Sequence, residues 1–159
     1  MANQDPQPEV YTTTHAFAGA AAAGTSNVIS VFTNQANNEE VRLCAVGIEM
    51  LDATTGAALA AGLDYSVAIQ VGPNNVPSNA FSAGFIFSKN DRTLALSTPI
   101  LVLFQQPLQI TVTTNQIVAA NGSNIKVTLI GELAIQKIAV HAGNWEHQMN
   151  SMGPQGRQR

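Results

Sequence analysis

Three histidines, ten acidic side chains, nine serines and one cysteine are the residues of this 159-residue chain that could do chemistry. Histidine comes first, as the usual base and metal ligand. His15 lies near the amino terminus, and His141 and His147 lie near the carboxyl terminus. The 141/147 spacing is not the i, i+4 spacing that sets two ligands on one helix face, and no glutamate stands as in a metalloprotease motif. All three read as solvated or interface histidines. Glu146 beside His147 adds nothing, because adjacent residues do not face each other on a helix or a strand. Glu39 and Glu40 open a strand and read as solvated. No spacing singles out Glu49 with Asp52, or Asp64 with Asp91, as the paired carboxylates of a glycosidase. The sequence holds no calcium loop, no Gly-x-Ser-x-Gly elbow, no P-loop and no dinucleotide fingerprint. Cys44 sits among apolar neighbours and reads as a small buried hydrophobe. Asn121-Gly122-Ser123 matches a glycosylation acceptor and reads more simply as a turn. The expectation is a non-enzyme, with no catalytic residue, no cofactor and no metal.

Composition points the same way. Charged residues make up 11% of the chain, against roughly 25% in an average soluble domain. Asn (14), Gln (12), Thr (13) and Ser (9) take their place. A net charge of −3 with seven basic residues gives no electrostatic footprint for nucleic acid. A single cysteine excludes an intrachain disulfide framework. The apolar run AFAGAAAAG, residues 16–24, falls far short of the ~20 residues of a membrane span. The opening MANQDPQPEV lacks the basic and apolar regions of a secretory signal. The expectation is a protein made in the cytoplasm that engages neither membrane nor nucleic acid.

The elements that would position such a surface are strands. Period-two alternation recurs in VRLCAVGIEML, where Cys44, Val46, Ile48 and Met50 fall on one face. It recurs in PLQITVTTN (Leu108, Ile110, Val112) and in IKVTLIGELAI (Val127, Leu129, Gly131, Leu133, Ile135). Residues 28–32, 65–71, 85–87, 94–96 and 100–104 are further candidates. Turn chemistry separates them at Asn37-Asn38, Gly72-Pro73-Asn74-Asn75, Asn90-Asp91 and Asn121-Gly122. The Ala-rich stretch 54–63 holds two glycines and reads as a loop or a short helical turn. The chain divides into an amino-terminal arm (1–25), a folded body (26–140) and a flexible tail (141–159). The body reads as all-β, a single antiparallel β-sandwich of about eight strands. The arms order only on a partner in this reading, through Val10, Tyr11 and Phe17 in the first and Trp145 and Met149 in the second. Aromatic anchors of this kind are favoured at interfaces.

A polar, low-charge all-β chain ending in PLQITVTTN…NGSNIKVTLIGELA (about residues 107–137) resembles the small jelly-roll structural proteins of bacteriophage capsids. These are head decoration (cement) proteins and single-jelly-roll capsid or vertex proteins. The resemblance implies a jelly-roll-like sandwich in the virion, self-association as a homo-oligomer (commonly a trimer), and attachment to a major capsid protein lattice through extended arms. Two other classes stand beside it: a carbohydrate-binding sandwich of a phage fibre, and an enzyme on a cupin-like scaffold. A cupin needs several histidines converging with a glutamate, and no strand here carries a histidine pair. Most of the phenylalanines (Phe32, Phe85, Phe87 and Phe104) lie in strand patterns that want a core, which leaves few for a sugar platform.

Overall fold

The computed structural model describes residues 6–59 and 64–135. Within them lie nine strands and one short helix: β1 (Gln7–Phe17), β2 (Ser26–Thr33), β3 (Glu39–Asp52), β4 (Tyr65–Val71), β5 (Asn74–Asn75), β6 (Phe81–Ser82), α1 (Ala83–Phe87), β7 (Thr93–Val102), β8 (Pro107–Thr114) and β9 (Ser123–Ile135). Every pairing is antiparallel. The first sheet has the order β1-β9-β3-β7, and the second β2-β8-β4-β5 with β6 also on β4. Together they form an all-β sandwich.

The alternation in the sequence builds its core. From the first sheet, Leu43, Val46, Ile48 and Met50 of β3 point inward beside Ile125, Val127 and Leu129 of β9. From the second come Tyr65, Val67, Ile69 and Val71 of β4 and Leu108, Ile110 and Val112 of β8. These branched and aromatic side chains suit a pleated surface. Their burial supplies most of the driving force, at roughly 25 cal/mol per Å² of apolar area. A polar bond crosses this core between the sheets: the hydroxyls of Tyr65 (β4) and Ser123 (β9) lie 2.6 Å apart, both buried.

The structure departs from the sequence reading in several places, among them Glu40, expected in solvent and buried, and Phe85 and Phe104, expected in the core and exposed. Residues 7–17 are no arm. They pair with β9 over eleven consecutive positions, Gln7 opposite Leu133 through Phe17 opposite Ser123. The inward face of β1 is Tyr11, Thr13, His15 and Phe17, and its threonine and histidine disguise the apolar period. The loop after β1 is also tied to the body, by Ala20 N–H to the Val118 carbonyl and Gly24 N–H to the Thr114 carbonyl. The boundary drawn at residue 25 therefore dissolves.

Cys44 is exposed and not a core residue. The register of β3 shifts between Leu43 and Ala45 against both β7 and β9. This bulge places Cys44 and Ala45 together between the inward Leu43 and Val46, and an extra residue of this kind re-aims every side chain beyond it. Gly131 sits opposite, where a Cβ would collide with the Arg42 carbonyl, so the close approach needs glycine. Residues 85–87, expected as strand, belong to α1, whose Ala83 and Ile86 are fully buried. His15, expected in solvent or at an interface, is completely buried. Residues 54–59 form a turn and a single bridge, Leu51 to Ala58, in keeping with the loop reading, and residues 60–63 lie outside the described part. The carboxy-terminal tail, 141–159, lies outside it too.

Candidate functional site

The expected anchors separate. Val10 is 61% exposed on the outer face of β1. Tyr11, its neighbour, points the other way and stacks on Phe32 of β2, with ring centroids 4.6 Å apart and planes at 20°. Phe17 is buried against Tyr65 at 5.5 Å, where no partner reaches it. Trp145 and Met149 lie outside the described residues, as do His141 and His147.

Tyr11 and Phe32 form the wall of a groove of about 280 Å³. Val41 and Leu133 supply apolar lining, and Glu9, Asn34, Gln35 and Glu39 bring polar groups. Burial raises the Tyr11 pKa above its ordinary value, and the negative charge of the nearby Glu9 carboxylate raises it further. Asn34 is fixed: its amide donates to the Glu39 and Val102 carbonyls, and its side-chain oxygen accepts from the Ala36 N–H. The groove opens where β1 meets β2 at one end of the sandwich. The sequence reading placed Phe32 in the core and missed its pairing with Tyr11, because that contact joins two sheets.

At the other end of β1 the buried His15 is satisfied on both ring nitrogens. Nδ1 lies 3.1 Å from the Asn27 carbonyl, and Nε2 lies 3.0 Å from Thr13 Oγ1. A carbonyl only accepts, so Nδ1 carries the hydrogen and Nε2 of the neutral ring accepts from threonine. Burial lowers the pKa of His15, and the bond to Asn27 opposes that shift. This is a structural histidine: nothing in the ring is left to abstract a proton or bind a metal. Among the described residues no three His, Cys, Asp or Glu side chains converge to hold a metal ion.

Asp52 is equally committed. One oxygen accepts from the N–H groups of Thr54 and Thr55 and from the Thr55 hydroxyl, and the other from Asn121. The Thr55 N–H leads the bonds that lower its pKa. It organises the loop that follows β3.

The outer faces differ in charge. On the first sheet Lys126 meets Glu49 at 3.5 Å, and Arg42 binds Glu40 and approaches Glu132 at 3.8 Å. Bonding to Glu40 raises the Arg42 pKa. The outer face of the second sheet carries Ser26, Val28 and Ser30 of β2, Gln109, Thr111 and Thr113 of β8, Ser66, Ala68 and Gln70 of β4, Asn75 of β5 and Ser82 of β6. None of these is charged. They bond among themselves, Ser26 to Thr113 at 2.7 Å and Gln109 to Ser30 at 3.2 Å.

No helix among the described residues is long and apolar enough to cross a membrane. The chain matches no known protein family, and no curated protein is similar to it in sequence.

Proposed function

We propose that this chain is a non-enzymatic structural protein of a bacteriophage head: a decoration (cement) protein that self-associates and binds the major capsid protein lattice. The observation that carries the reading is the strand order. With β5 and β6 taken as two short pieces at one position beside β4, the orders β1-β9-β3-β7 and β2-β8-β4-β5 fit the two interlocked Greek keys of an eight-position jelly roll, an architecture used by viral capsid proteins. Lectins and cupins share that architecture, so the argument also needs the surface. An uncharged sheet face of Ser, Thr, Gln and Asn suits a broad, hydrogen-bonded lattice contact. His15, Asp52 and Tyr11 are each tied into the fold by bonds or stacking, which supports a binding role over a catalytic one. A single-jelly-roll capsid or vertex protein would use the same fold and faces.

A protein that binds only the assembled shell stabilises it by mass action. A contact made of neutral hydrogen bonds depends little on screening. Purified protein added to undecorated heads is therefore expected to stay bound up to about 1 M salt, where the Debye length is ~3 Å. Thr111→Lys, in the middle of the neutral face, is expected to release it. Release of the unmodified protein by salt alone would overturn the neutral-contact reading.

A carbohydrate-binding role has one observation in its favour, the Tyr11–Phe32 groove with its Glu9, Gln35 and Glu39 rim. A glycan array separates the two: binding lost in Tyr11→Ala supports a fibre-type lectin and counts against the capsid role.

A further inference from the structure

A strand at the edge of a sheet exposes unpaired N–H and C=O groups, and proteins normally blunt such edges. Three of the four edges here are blunted. β2 is broken by a register shift between Ser30 and Phe32. β7 loses its register against β3 between Ala95 and Ile100 and carries Pro99. β5 is two residues long. β1 is different: it runs unbroken for eleven residues with no bulge and no lysine or arginine.

The direction of its backbone groups follows from one bond. The Asn27 amide donates to the Ala16 carbonyl at 3.3 Å, so the Ala16 carbonyl faces away from β9. In an antiparallel ladder both polar groups of a residue point to one side and alternate along the strand. The N–H and C=O of Val10, Thr12 and Thr14 therefore also face outward, and no described residue takes them. Beyond this stretch Pro8 has no N–H to give, and the Ala16 carbonyl is already bonded. The free segment is thus Val10 to Thr14, symmetric about Thr12.

We propose that β1 pairs with β1 of a second copy, antiparallel about a two-fold axis at Thr12, joining the two first sheets into one continuous eight-stranded sheet. Val10 pairs with the partner's Thr14, and Thr12 with the partner's Thr12, which together satisfy six backbone donors and six acceptors. Thr12 already lies 3.2 Å from Thr128, hydroxyl to hydroxyl. The two-fold extends this pair into a row of four threonines, a favourable cross-strand arrangement. The only charged residue of the strand, Glu9, never faces its own copy in this register, so no like charges meet. Because the other edges are blunted, the contact closes on itself as a pair and cannot propagate as a filament. It goes beyond the virion reading and stands or falls without it, since it concerns the free protein in solution.

The test is a cross-link. In a Cys44→Ser background, Thr12→Cys places two thiols across the axis in a hydrogen-bonded pair, whose Cα separation of about 5.5 Å suits a disulfide. Mild oxidation is expected to convert it to covalent dimer about tenfold faster than Thr98→Cys on the β7 edge, by the same geometric criterion. Light scattering is expected to give a dimer mass for the unmodified chain. Val10→Lys with Thr14→Lys sets lysines opposite each other and is expected to give a monomer with an unchanged circular dichroism spectrum. A monomeric unmodified chain, as when residues 136–159 of the same chain cover β1, overturns the proposal. So does a trimer in which the thiols of the Thr12→Cys variant stay unlinked.

Discussion

The sandwich has two long sides to close, and it closes them by opposite means. Between β7 and the β4–β6 side, α1 packs against β3, β4 and β7 and fills the gap with Ala83 and Ile86, both fully buried. Between β1 and β2 the closure is largely polar: His15 binds the Asn27 carbonyl, Asn27 binds the Ala16 carbonyl, and Tyr11 stacks on Phe32. An apolar plug gains from burial without directional demands, whereas a hydrogen-bonded seam gains little net energy and is costly when one partner is removed. The plugged side should therefore respond to lost volume, and the seam to lost bonds or added charge.

The largest effect is expected at the plug. Ile86→Ala removes a fully buried side chain from a helix too short to hold itself. Large-to-small core changes cost about 2–5 kcal/mol. Urea denaturation is expected to show a loss in that range with an unchanged slope. A loss under about 1 kcal/mol would mean that the site collapses around the gap or that α1 is dispensable.

The seam should break with acid. The pKa of His15 is lowered on folding, so between its folded value and about 6.5 the unfolded chain binds the extra proton. Stability is then complete above about pH 6.5 and falls as pH drops towards the folded value, with a slope approaching about 1.4 kcal/mol per pH unit. Carboxylates titrate lower, near about 4, and Asp52, held below its ordinary value, loses its share of stability lower still. Urea midpoints at about pH 7.5 and pH 5.5 thus isolate histidine. His15→Gln, less stable at the higher pH, is expected to flatten the difference between them. A profile equally steep in that variant would assign the acid loss to another group.

The same contrast explains what was legible in the sequence. β8 and the first half of β9 alternate cleanly because each lies between two other strands, with one face in the core and one outside. Their inward Leu108, Ile110, Val112, Val127 and Leu129 are all buried as the period requires. β1 escaped because a polar seam needs Thr13 and His15 on its inward face, so its period reads as a solvated arm. Cys44 was misplaced because a bulge costs one residue of phase and leaves no mark in composition. α1 reads as a strand because three of its five residues are Phe, Ile and Phe, and only tertiary packing makes them helical. The Tyr11–Phe32 groove joins residues far apart in the chain and in different sheets, a contact that periodicity along one strand does not contain. The charge-free face of the second sheet was half visible, in Gln109, Thr111 and Thr113; its continuation through Ser66, Ala68 and Gln70 needed the register.

The smallest effect is expected away from both sides, at the ion pair on the outer face of the first sheet. Lys126 and Glu49 lie directly opposite on β9 and β3, at 3.5 Å, with side chains 41% and 51% exposed. Water and salt screen such a pair, and holding two long side chains together costs entropy, so exposed pairs contribute about 0.2–1 kcal/mol. A double-mutant cycle with Lys126→Gln and Glu49→Gln is expected to give a coupling in the lower half of that range, shrinking further at high salt. The pair then acts as a marker of register, since opposite charges across a ladder favour one alignment over a slip. A salt-resistant coupling well above about 1 kcal/mol would place the pair in a less solvated setting than its exposure implies. It would also give the first sheet a charged contact region to set against the neutral face of the second.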